Sequence, residues 1–123
     1  MTWYGTSKPY EHQTVGLQEL HDNRKWLLAW EMGLGKSAVI ANRLRHAHDN
    51  DEFHGPTLIL CPKSVVIDVW PEQLALHGGI TKRITIIQGA GSSRKKIYDR
   101  IYNDTHNRIV IINYDLFLND KLI

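Results

Sequence analysis

Trp26-Leu27-Leu28-Ala29-Trp30-Glu31-Met32-Gly33-Leu34-Gly35-Lys36-Ser37 decides how this chain reads. Trp26 to Trp30 is a continuous apolar run, the pattern of a strand buried on both faces. Gly33, Gly35, Lys36 and Ser37 follow at once, and then Val39, Ile40, Leu44 and Ala47 recur at helical spacing. Strand, glycine turn, Lys-Ser and helix together make a phosphate cradle. The N–H groups of a helix N-terminus point at an anion, and the helix dipole adds attraction. Glycine lets the backbone wrap closely. In such a turn the lysine reaches the terminal phosphates and the serine hydroxyl goes to Mg²⁺, which gives those roles to Lys36 and Ser37. The general G-x-x-x-x-G-K-[ST] pattern wants glycine at position 30, where this chain has Trp30.

Bulk properties set the frame. The chain has 123 residues, with 42% hydrophobic and 23% charged, enough for one soluble globular domain with a core. Its net charge of +2 is compatible with polyanion binding without arguing for it. A single cysteine, Cys61, excludes an internal disulfide and suits a reducing, intracellular compartment. No apolar run reaches the length of a membrane span, and Met1-Thr2-Trp3-Tyr4-Gly5 has no signal-peptide pattern. Neither a membrane anchor nor a secretory route is expected.

Working outward, residues 1–9 read as a lead-in broken by Gly5, Ser7 and Pro9, and Tyr10 to Asp22 as a helix with Val15, Leu17 and Leu20 inward. A helix runs from Lys36 to His48. Thr57–Cys61 is a second strand, stopped by Pro62. Pro71 fits only a first helical turn, so a helix is expected from Asp68 as N-cap, with Trp70, Leu74 and Leu76 buried and Gly78-Gly79 as its stop. Ile84–Ile87 is a third strand. Ser92 or Ser93 caps a helix reaching Tyr102, with Ile97 and Ile101 on one face, and Arg108–Ile112 is a fourth strand. Short apolar strands alternating with helices predict an α/β fold, a parallel sheet covered by helices on both faces. Ligands of such sheets sit at the C-terminal strand ends. The turn after Trp30, Pro62-Lys63-Ser64 and Asn113-Tyr114 all belong to that edge.

Several of these segments resemble one family. Glu31-Met32-Gly33-Leu34-Gly35-Lys36-Ser37 is similar to motif I of the Swi/Snf-type, superfamily-two helicase-like ATPases, which carry an acidic residue where this chain has Trp30. Lys8-Pro9-Tyr10-Glu11-His12-Gln13-Thr14-Val15-Gly16 resembles the family's adenine-reading segment, and the resemblance assigns that role to Gln13, whose amide both donates and accepts. Leu58 to Val66, with Trp70 and Glu72, is similar to motif Ia, which implies nucleic-acid backbone contacts at Lys63 and Ser64. Ile109 to Asp115 resembles the strand and tyrosine that precede motif II.

The resemblance implies a partial, P-loop RecA-like lobe of about four strands, spanning residues 1–123. It implies ATP and Mg²⁺ held by Gln13, Gly33, Leu34, Gly35, Lys36 and Ser37, with Lys36 also the catalytic candidate. Its expected partners are DNA, duplex rather than single-stranded, and a second RecA-like lobe. Motif II, Asp-Glu-x-His, belongs some tens of residues after Tyr114, and the expectation is that nothing in the 123 residues fits it. Asp99, Asp104 and Asp115 lack its context. The expectation is therefore the front of a first motor lobe, truncated before motif II, that holds nucleotide weakly and does not hydrolyse it alone. Two other readings stay open: the motor part of a restriction-type enzyme, and a free-standing, non-catalytic half-lobe that binds nucleotide or DNA.

Other features read more plainly. Arg94-Lys95-Lys96 with Arg100, and Lys82-Arg83, are a solvated basic face or a phosphate-tracking one. His46 and His48, two apart on a helix, do not share a face, which disfavours a metal site with His54. Cys61, Trp26 and Trp70 read as core residues.

Overall fold

The computed structural model describes residues 2–5, 7–23, 25, 27–28, 35–52, 56–103 and 109–121. Their elements run α1 (Glu11–Asp22), α2 (Lys36–Asp49), β1 (Thr57–Cys61), α3 (Lys63–Val66), α4 (Trp70–Gly78), β2 (Ile84–Ile86), α5 (Gly91–Asn103), β3 (Ile109–Asn113) and α6 (Tyr114–Asn119). The fold is α/β, with helices alternating with parallel strands as the apolar runs predict. Two compact units make it up, residues 1–50 with 72–81, and residues 51–71 with 82–123.

The second unit holds a three-stranded parallel sheet in the order β1-β3-β2. β3 is central, and all of its residues are buried, which is why it is apolar without alternation up to Asn113. Leu58 and Leu60 of β1 pair with Val110 and Ile112, and Ile84 of β2 pairs with Ile109. Ile97, Tyr98 and Ile101 of α5, with Leu116 and Phe117 of α6, pack on Ile87, Val110 and Ile112. Cys61 is a core residue, 3% exposed.

In the first unit α1 packs along α2. The inward residues of α1 are Gln13, Gly16 and Leu17. Val15, expected among them, is 51% exposed. α4 ends where Gly78 meets α2, and Gly79 turns the chain away at φ 63°. Leu74 is fully buried, but Leu76, expected inward, is 41% exposed, since it lies two residues on and so on another helical face.

Two short helices go beyond the sequence expectation. α3 occupies Lys63–Val66, so α4 begins at Trp70 rather than after Asp68, with Pro71 in its first turn. α6 follows β3 directly, capped by the Asn113 side chain, which accepts from Leu116 N–H at 3.0 Å. Of the expected first strand, Trp26, Ala29 and Trp30 lie outside the described residues. Leu27 and Leu28 lie in no strand, and Leu27 is 80% exposed.

Candidate phosphate-binding helix and sheet edge

Gly33 and Leu34 lie outside the described residues, so the candidate site begins at Gly35. Gly35 is the N-cap of α2 and sits in the left-handed region at φ 76°, where glycine carries no steric penalty. Gly35 has no side chain to cap this helix, and the first turn holds no acid. The first-turn N–H groups of an α-helix have no acceptor within it, and a negative group there is stabilised by the dipole. An acid-free first turn that opens on a glycine N-cap and bears Lys36 and Ser37, both half-buried, fits a bound phosphate group.

Gln13 is placed against this turn. It is 7% exposed, and its Nε2 donates to Gly35 O at 3.3 Å. Its Oε1 accepts from the backbone N–H of Tyr10 at 2.9 Å, while Gln13 N–H donates to Tyr10 O. This is the side-chain half of a capping box at the start of α1. An amide has two N–H donors and two acceptor lone pairs, and these two bonds, the ones it makes among the described residues, use one of each. The resemblance assigns adenine reading to Gln13; the structure adds that Gln13 ties α1 to the glycine at the start of α2.

A second cluster lies in the sheet-bearing unit. Parallel strands put their C-terminal ends on one edge, and Lys63, Gln88, Gly89, Asn113, Asp115 and Leu116 line a groove of 340 Å³ there. Lys63 and Asn113, both expected at this edge, are thus brought together. Gln88 and Gly89 join them without having been singled out, and the glycine turn after the third strand was their only signal. Ser64, in α3, is exposed. Asp115 puts a carboxylate on the same groove, unfavourable to a backbone phosphate directly beside it.

The basic tract divides. Arg94 makes paired 2.8 Å bonds to Asp120, and its Nη1 donates to Gly89 O at 2.7 Å. Tyr98 OH also donates to Asp120. The Arg94 guanidinium and the Tyr98 hydroxyl hold the Asp120 carboxyl down at about 2. Burial, then the Asp120 hydrogen bond, push Tyr98 up to about 12. Arg94 is therefore a structural clasp between α5 and α6 and not a phosphate tracker. Lys95, Lys96 and Arg100 remain on the exposed side of α5.

The letters Asp-Glu-x-His do occur, at Asp51 to His54, where spelling alone matches motif II. Asp51 lies in the turn that closes α2, at φ 54°, ahead of β1 rather than after a strand. Phe53 and His54 lie outside the described residues. Among the described residues no helix is long and apolar enough to cross a membrane.

A family profile described as the SNF2-related domain matches residues 11–123. The chain is 33% identical over 114 residues to the probable ATP-dependent DNA helicase CHR23 of Arabidopsis thaliana, covering 89% of this chain and 10% of that protein. It is 28% identical over 111 residues to the putative protein p41 of Acyrthosiphon pisum secondary endosymbiont phage 1, covering 89% of this chain and 23% of the relative. Against the ISWI chromatin-remodeling complex ATPase ISW2 of Saccharomyces cerevisiae identity is 28% over 120 residues, covering 94% and 10%. The chain thus spans from a tenth to under a quarter of the length of these relatives.

Proposed function

This chain belongs to the SNF2-related domain family, and from that premise we propose that it is the nucleotide-holding part of the first RecA-like lobe of an ATP-dependent DNA translocase. The observation that carries the reading is the N-terminus of α2, with Gly35 at its N-cap, no acid in its first turn, and Lys36-Ser37 opening it. Lys36 neutralises phosphate oxygens, Ser37 offers its hydroxyl to Mg²⁺, and the amides of the turn, with Gly33 to Gly35, surround the phosphates. Gln13 reads the adenine edge with its side-chain amide, which can both donate and accept. Mg²⁺ supplies charge neutralisation on the phosphates when bound.

Phosphoryl transfer is largely positioning and electrostatic stabilisation, and this chain's residues do the holding. The acid that completes the metal site, the group that orients water and the arginines of a second lobe come from segments outside these residues. Residues 1–123 taken alone hold nucleotide weakly and turn it over negligibly. Lys63 and Ser64 meet the DNA backbone at the strand-end groove, a reading supported by Lys63 lining it. The names of the relatives support DNA as the track and ATP as the fuel.

The test is the affinity of the full-length protein for ATP with Mg²⁺. Lys36→Ala is expected to weaken it at least tenfold, about 1.4 kcal/mol. Unchanged affinity would sink the assignment of the site.

A further inference from the structure

The residues ahead of α1 lie along one face of α2. Asn42, Arg45, His46 and Asp49 stand at i, i+3, i+4 and i+7, a spacing that aligns them on that face. Each of them meets the segment from Thr2 to Tyr4. Asn42 Oδ1 accepts from the Tyr4 backbone N–H at 2.5 Å, and Asn42 Nδ2 donates to Ala38 O at 2.8 Å. His46 Nε2 donates to Thr2 O at 2.6 Å. Asp49 Oδ2 accepts from Tyr4 OH at 2.9 Å. The Arg45 guanidinium lies 4.8 Å from the centre of the Tyr4 ring, and the His46 ring 4.9 Å from it. Asn42 is wholly buried and His46 is 6% exposed. A buried amide in mid-helix costs free energy unless it is bonded, and the Tyr4 N–H is what meets this one's oxygen.

The same stretch of chain grips α2 at its other end, where Gln13 bonds Gly35 O. Between the grip at Gly35 and the nearest strap contact at Asn42 lies the first half of α2, roughly 10 Å of helix. We infer that residues 2–4 are a strap that positions the phosphate-binding helix, with Tyr4 and Asn42 as positioning residues for nucleotide bound at Gly35 to Ser37. The inference rests on the nucleotide-holding role proposed above. The strap acts by holding the far half of α2, so that the first turn stays where Gln13 receives it. A helix fixed beforehand loses less freedom when its ligand arrives. Such coupling is reciprocal, so nucleotide must tighten the strap by the factor by which the strap tightens nucleotide.

The test uses the full-length protein with a fluorescent ATP analogue and Mg²⁺, well below the unfolding midpoint of every variant. Removing residues 2–5 is expected to raise the dissociation constant about fivefold or more. Asn42→Leu removes the strap's anchor while leaving an apolar side chain of similar size in the helix, and is expected to weaken nucleotide binding with its unfolding midpoint nearly unchanged. Tyr4→Phe, which loses only the Asp49 bond, shifts affinity in the same direction by less. Added nucleotide should slow hydrogen exchange at the Tyr4 amide by the same factor. If Lys36→Ala abolishes binding while the strap variants bind like the parent and Tyr4 exchange ignores nucleotide, the strap is merely structural and the inference is overturned. If Lys36→Ala binds normally, the nucleotide reading itself fails and the inference falls with it. Should the deletion fail to fold, Asn42→Leu and Tyr4→Phe carry the same comparison.

Discussion

Gly78 has no room for a side chain. A β-carbon there would lie 2.7 Å from the backbone carbonyl oxygen of Ala41, an atom that α2 holds in place. Gly78→Ala must therefore push α4 off α2, at a cost of about 1–3 kcal/mol. A drop in the thermal midpoint is the readout, and an unchanged midpoint would mean the two helices separate without penalty. Gln13 is a different case. Gln13→Leu removes the bond to Tyr10 N–H at the start of α1 and the bond to Gly35 O, and is expected to cost about 1 kcal/mol of stability besides its effect on ligand. Gly35, Lys36 and Ser37 can be read from the sequence because glycine and lysine chemistry at a helix start is local. Asn42 and His46 cannot, because their partners lie 38 and 44 residues away in the chain. In sequence they are only polar residues in a helical pattern, and nothing nearby says that their face is covered.

The clasp between α5 and α6 shows how a six-residue helix is held in place. Such a helix gains little from its own hydrogen bonds, and Asn113 at one end and Asp120 at the other fasten it. Asp120 titrates at about 2 in the folded chain, below the usual carboxylate near 3.9. Its contribution is complete above the unfolded value and is lost as pH falls from about 4 toward 2. Tyr98, raised to about 12, contributes fully below pH 10 and loses that contribution as pH climbs through 12. Midpoints measured against pH should fall at both extremes. Asp120→Asn should lower the midpoint at neutral pH and flatten the acid limb; an unaltered acid limb would assign it to other carboxylates. The clasp also explains why the basic tract misleads in sequence: Arg94 looks like its lysine neighbours until Asp120, far along the chain, engages it. The short helices α3 and α6 escape the sequence because four and six residues are too few to display a period.

The α/β class follows from apolar runs punctuated by Gly and Pro, and β1, β2 and β3 fall within a residue or so of where those runs stand. Strand order does not follow from them, since no local signal places β3 between β1 and β2. In the full-length protein, duplex DNA is expected to stimulate ATP turnover. Lys63→Ala should weaken DNA binding across sequences alike and lower the slope of log affinity against log salt by about one. An unaltered slope would remove Lys63 from the DNA contact.

The position of β3 has a further consequence, for synthesis on the ribosome. Among the described strands, β1 leaves the ribosome first and meets its partner only when Ile109–Asn113 has been made, because β2 also pairs with β3. At about 5–20 residues per second, the roughly fifty intervening residues take about 3–10 seconds. Through that interval Leu58-Ile59-Leu60 is an apolar segment without its β3 partner, the kind of stretch that chaperones retain and aggregates recruit. Of the three described strands the central one is made after the other two, so β1 and β2 join through it only when it arrives.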